Sequence, residues 1–130
     1  MIAFSRSRNH GEGWLERLAT AKEEEVYRLT AATAESKERV ASCYAGELLA
    51  VVSETGEVYP CELLDRSMGN VRDFSCDLAR LWNSLPAADV RRFRNEIGCQ
   101  CTYECAASVN TLFNPSRLLR ILVRTVSPGR

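Results

Sequence analysis

The chain has no net charge: its 17 Lys and Arg residues balance 17 Asp and Glu. A protein that holds nucleic acid through a positive field needs a cationic excess, so no nucleic-acid partner is expected. No apolar run approaches the roughly 18–20 residues of a membrane span, and no membrane association is expected. The N-terminus has only the short apolar run Ile2-Ala3-Phe4, where a secretory signal needs an apolar core of about 7–15 residues. The expected location is therefore cytoplasmic. Histidine occurs once, at His10. With no second histidine, base-assisted nucleophilic catalysis has no support, and no catalytic residue is assigned. Internal repeats and low-complexity segments are also missing.

Against these absences stand six cysteines, at positions 43, 61, 76, 99, 101 and 105. In a reducing compartment such a set points to metal or redox chemistry before structural disulfides. The surrounding pattern predicts an α+β domain. Trp14, Leu15, Leu18, Ala21, Val26 and Leu29 give an interrupted apolar stripe that predicts a helix from Trp14 to about Val40, with Lys22 and Glu23 to Glu25 on its other faces. Leu48 to Val52 and Val58-Tyr59, separated by Glu54-Thr55-Gly56-Glu57, predict a β-hairpin ended by Pro60. Residues 62–74 read as a loop, with Met68-Gly69-Asn70 a further turn. A helix is predicted over 75–84, another from Pro86 to about Ile97 ended by Gly98, and a last one from Ser116 to Val126.

The cysteines form two groups. Cys43 and Cys61 lie at the two ends of the hairpin in the pattern C-x12-G-x4-C, so closing the hairpin brings them together. Cys99, Cys101 and Cys105 form C-x-C-x3-C beside a helix start, where backbone amides favour thiolates. Structural zinc competes as a reading, although such sites usually carry close C-x2–4-C pairs in both halves. Here seventeen residues separate Cys43 from Cys61. Disulfides are a further alternative. Cys76, among apolar neighbours, reads as a buried inert cysteine, and Cys99 is open. Iron–sulfur ligation by four thiolates from scattered segments fits the rest.

The string Val51 to Cys61 within C-x12-G-x4-C, then Gly69-Asn70-Val71-Arg72, Leu81-Trp82-Asn83-Ser84 and Cys101-Thr102-Tyr103-Glu104-Cys105, resembles in order the SPASM/twitch auxiliary-cluster domain of radical SAM proteins. The likeness covers about residues 40–115. It implies a [4Fe–4S] cluster held by Cys43, Cys61, Cys101 and Cys105, with Cys99 a possible alternate. It also implies an α+β architecture in which a connector helix, a hairpin and several short helices surround the cluster. Residues 1–13 are then expected as a disordered tail, 14–40 as the connector, 41–126 as the iron–sulfur domain and 127–130 as a tail.

Two features depart from the complete family pattern. No cysteine precedes Cys43, so the C-x3-C-x2-C motif of the catalytic barrel is missing. The six cysteines are spaced for one auxiliary cluster rather than two. The chain is therefore expected to be an accessory domain rather than an enzyme on its own: stand-alone, a split subunit or a truncated frame. Its expected partner is a radical SAM barrel protein or a peptide or protein substrate. A structural zinc or protein-interaction module is the alternative. Arg117, Arg120 and Arg124 give the last helix a basic face, expected to be solvated or to meet an acidic partner.

Overall fold

A computed structural model describes residues 13–36 and 39–127. Residues 1–12 and 128–130, which hold nearly all of the two expected tails and His10, lie outside the described residues, as do 37 and 38. The described chain is α+β: five α-helices and a three-stranded antiparallel sheet. It begins with α1 (Trp14–Ser36), followed by strands β1 (Val51–Val52), β2 (Glu57–Tyr59) and β3 (Gly69–Asn70). A 3-10 turn (Val71–Phe74) leads to α2 (Leu78–Trp82), α3 (Leu85–Ile97), α4 (Glu104–Leu112) and α5 (Pro115–Val126).

The hairpin forms as expected, with Val51 opposite Tyr59 and Val52 opposite Val58, but its first strand is shorter than the apolar run. Residues 44–49 turn instead of extending. The amides of Glu47 and Leu48 both donate to the Tyr44 carbonyl, and Gly46 (φ 75°) donates to the carbonyls of Leu49 and Pro60. A Cβ on Gly46 would approach Pro60 Cβ to 3.2 Å, so the backbone contact that draws positions 46 and 60 together needs a glycine.

Gly69-Asn70, expected as a turn, is the third strand: Glu57 pairs with Asn70 and Val58 with Gly69. The Glu57 carboxylate draws them in by accepting from Ser67 Oγ and Asn70 Nδ2. The expected helix over 75–84 shrinks to α2. Ser75 and Cys76 both adopt left-handed backbone, φ 56° and 60°, and Asp77 caps the helix by accepting from the Arg80 amide at 3.0 Å. Later boundaries follow the local signals. Ser84 caps α3 and Gly98 ends it at φ 60°, while Asn114 caps α5 just ahead of Pro115.

Two apolar clusters hold the fold. Val58 of β2, Met68, Leu81 of α2, and Ala87 and Val90 of α3 form one. Val26 and Leu29 of α1 with Ala107 of α4 form the other. Residues 39–47 join them. Tyr44 N–H donates to Asn110 Oδ1 on α4 at 2.9 Å, and Arg94 Nη1 of α3 donates to the Ala45 carbonyl at 2.7 Å.

The helix α1 packs along α4 and α5 with a face that differs from the predicted stripe. Trp14 and Leu15 are exposed, whereas Glu25 is fully buried among Ala21, Val26, Leu29 and Thr33. The arginines of α5 explain this. Arg117 Nη1 lies 3.0 Å and Arg120 Nη1 3.4 Å from Glu25 Oε1, and Arg124 Nη1 lies 3.5 Å from Glu24 Oε2. The acidic partner of the basic face is therefore α1 itself. Turning that face inward leaves Leu118, Leu119, Leu122, Val123 and Val126 of α5 exposed.

Candidate metal centre

The segment that joins the two clusters also carries the first cysteine. Cys43 is half-buried, one residue before the Tyr44 amide bond to α4. Tyr44 Oη donates to the Phe113 carbonyl at 3.1 Å and its ring packs edge-on to Phe113, fixing the segment against the C-terminal end of α4. Cys61 follows Pro60 at the end of β2 and is also half-buried. The Gly46 bond to the Pro60 carbonyl, 3.2 Å, is the link that brings the cysteine-bearing ends of the hairpin together. Gly98 turns the chain out of α3 and delivers Cys99 and Cys101, both half-buried.

Cys43, Cys99 and Cys101 line one small crevice with Leu29 and Thr33 of α1, Arg39, Val40, Ala41 and Asn110. The electrostatics bring Cys61 into the same neighbourhood. Burial pushes the Cys99 thiol up; the charges of Cys43 and Cys61 add to this, and the Arg39 guanidinium opposes it. Burial likewise raises the Cys101 thiol, the Tyr103 N–H opposes the rise, and Cys43, Cys61 and Cys99 add to it. That N–H donates to Cys101 Sγ at 3.4 Å. In the metal-free chain these two thiols are therefore held protonated at neutral pH. They are poor nucleophiles, and metal binding must displace their protons.

Cys105 stands apart, exposed in the first turn of α4. It is tied to the others through Tyr103. A hydrogen bond to Glu62, the residue after Cys61, raises the Tyr103 phenol, and the charges of Glu62 and Cys105 contribute. Glu62 and Tyr103 thus place the residue after Cys61 near the segment that carries Cys105. Cys76 differs from its expected role. It is exposed, and it lies in the left-handed turn after the 3-10 segment rather than in a buried helix.

Among the described residues no three Cys, His, Asp or Glu side chains are gathered closely enough to hold one metal ion. A lone zinc at about 2.3 Å from each sulfur would need its thiolates within about 4 Å of one another. The thiols here meet at electrostatic rather than bonding range. As a donor set they suit an iron–sulfur cluster: cysteines from three separate segments, all free of disulfides, partly shielded and with a cation nearby. Sequence reasoning had no signal for Arg39 or Asn110. Neither belongs to a motif, and both reach the crevice only through the packing of α1 and α4. Glu62 could have been noticed only as an acid beside a ligand.

Residues 43–106 match SPASM, described as an iron-sulfur cluster-binding domain. No curated protein and no solved structure gives a significant match to the chain.

Proposed function

Because residues 43–106 are a SPASM domain, which binds an iron–sulfur cluster, we propose that this chain holds one auxiliary [4Fe–4S] cluster in a radical SAM system. Cys43, Cys61 and Cys101 are three of the ligands. The fourth is Cys105, or Cys99 as its alternate. The observation that carries this reading is the crevice lined by Cys43, Cys99 and Cys101, with Cys61 close enough to raise the Cys99 and Cys101 thiols. Three sequence segments converge there, although up to 58 positions separate the residues concerned.

Bound by four protein thiolates, such a cluster supplies one-electron transfer from a closed coordination shell, so the proposed role is electron relay or structural support. The chain's own residues set the surroundings. Arg39 places positive charge beside Cys99, and the Tyr103 N–H stabilises a thiolate at Cys101. Tyr103 and Glu62 lie at the exposed side of the ligand set, beside Cys105 and Cys61. No catalytic residue is proposed, and the chain acts as an accessory domain docked on a radical SAM barrel protein or on a peptide or protein substrate. The exposed edge of β1 and the exposed apolar face of α5 offer the contact surface. No helix among the described residues is long and apolar enough to cross a membrane, and a cytoplasmic location is proposed.

The test is anaerobic purification with iron, sulfide and zinc analysis and an absorption spectrum. The expected product is brown, with about four iron and four sulfide per chain, a broad band bleached by dithionite, and loss of the cluster in Cys61→Ala. Comparing Cys99→Ser with Cys105→Ser identifies the fourth ligand. A colourless protein with one zinc would remove the cluster and its electron-transfer role together.

A further inference from the structure

Residues 40–43, which carry the first cysteine, belong to no helix or strand, and among the described residues they make no backbone–backbone hydrogen bond. Side chains must therefore fix where Cys43 stands. Asn110 of α4 accepts from the Tyr44 amide. Arg94 of α3 donates from Nη1 to the Ala45 carbonyl at 2.7 Å. On the other flank, Arg39 donates from Nη2 to the Arg94 carbonyl at 2.7 Å. That carbonyl is among the last four of α3, which a helix leaves without partners of its own.

Arg94 thus holds both sides of Cys43, one through its side chain and one through its backbone. It stands in the last turn of α3, just ahead of the Gly98 turn that leads to Cys99 and Cys101. A single residue therefore links the Cys43 segment to the helix that delivers two further thiols. One turn earlier, Arg91 Nη1 supports the same segment by donating to the Gly46 carbonyl at 3.1 Å.

Stability alone does not account for Arg94. It is 2 % exposed, it pairs with Glu47 Oε1 at 2.6 Å, and its Nε–H meets no acceptor. A well-packed apolar side chain often serves stability as well as such a buried pair. What an apolar side chain cannot do is donate to a carbonyl. The planar guanidinium reaches Ala45, Glu47 and Asn95 at once, which the point charge of a lysine would not.

We propose that Arg94 is a positioning residue of the metal centre: from the last turn of α3 it sets Cys43 relative to Cys99 and Cys101. The inference rests on the cluster reading above and adds to it a residue that is not itself a ligand.

Two measurements test it. The loaded protein is challenged anaerobically with excess bathophenanthroline disulfonate, and loss of the cluster band is timed. The metal-free protein is treated with iodoacetamide, and labelling of Cys43 is measured by peptide mass spectrometry against the exposed Cys105 of the same chain. Arg94→Met removes the donors, and Arg94→Lys keeps the charge. Both should lose iron about tenfold faster than the parent and label Cys43 about tenfold faster relative to Cys105, the scale of one charged hydrogen bond. Val90→Ala, on the same helix but within the apolar cluster, is the control for plain destabilisation. It should lower the urea midpoint and leave the ratio of Cys43 to Cys105 labelling unchanged. Parent-like labelling in Arg94→Lys, or an equal rise of the ratio in Val90→Ala, would overturn the proposal. A parent that takes up no cluster removes the proposed function and this inference with it. A loaded parent whose Arg94 variants keep their iron as long overturns this inference alone.

Discussion

Replacing Glu25 tests the packing of α1 most directly. Its carboxylate is 0 % exposed and faces Arg117, whose side chain is 13 % exposed, at 3.0 Å. Truncation to alanine would strand the Arg117 guanidinium in a mostly desolvated position. Breaking a buried pair in this way costs about 3–5 kcal/mol. The lower end applies here for two reasons. Glu25 Oε2 makes no hydrogen bond, so the carboxylate is incompletely satisfied even in the intact protein. Arg120 and Arg28 are more than half exposed, so solvent screens their share. About 3 kcal/mol is a large part of the roughly 5–15 kcal/mol that stabilises a domain of this size.

With a urea slope of about 2 kcal/mol per molar, Glu25→Ala should lower the unfolding midpoint by roughly 1.5 M. Glu25→Gln, which keeps an acceptor but not the charge, should fall between. The double variant Glu25→Met, Arg117→Met should recover most of the loss, because removing both charges removes the desolvation cost as well. Urea titrations by circular dichroism of the parent, Glu25→Met, Arg117→Met and the double variant form the double-mutant cycle that isolates the pair. An alanine variant within about 0.5 M of the parent would refute the buried pair. Leu29 and Thr33 of α1 form one wall of the thiol crevice, so a loosened α1 should also make bound iron easier to chelate.

Further outcomes follow from other positions. Gly56→Ala should destabilise by about 1–3 kcal/mol in the same assay: the backbone there has φ 91°, and a Cβ would meet Asn70 Oδ1 at 2.7 Å. In the metal-free protein Cys99 and Cys101 are raised above 9.0, so folding favours their protonated forms. Their contribution is complete below about pH 9 and is lost as pH rises through the raised values; urea midpoints at neutral and alkaline pH should show the fall, and Cys99→Ser with Cys101→Ser should flatten it. Glu57 behaves in the opposite sense. Hydrogen bonds from Ser67 and then Asn70 hold its carboxyl below 4.5, so its contribution is present above that pH and disappears as acid protonates it in the folded state. Glu57→Gln should remove that part of the acid dependence.

Local chemistry carried much of the fold. Ser84, Gly98 and Asn114-Pro115 set helix ends through caps and fixed backbone angles that depend only on immediate neighbours. Gly56 placed the hairpin turn for the same reason. The spacing of Cys43, Gly56 and Cys61 showed that closing the hairpin brings two thiols together, and its resemblance to the SPASM pattern implied an iron–sulfur domain. What local preference could not reveal were pairings across distance. Gly69-Asn70 reads as a turn until Glu57 supplies the carboxylate that draws it in as a strand, and Cys76 reads as buried until two left-handed residues turn it outward. Glu25 reads as a solvated charge until Arg117, 92 positions away, turns inward to meet it. Arg39 carries no signature at all; only the docking of α1 on α4 and α5 brings it to the thiol crevice. The sequence by itself determined which residues are turns, caps and candidate ligands, because those properties reside in single residues and their neighbours. Tertiary structure alone decided which of them meet and which charge is buried, because burial and pairing belong to packed surfaces and not to the segments that form them.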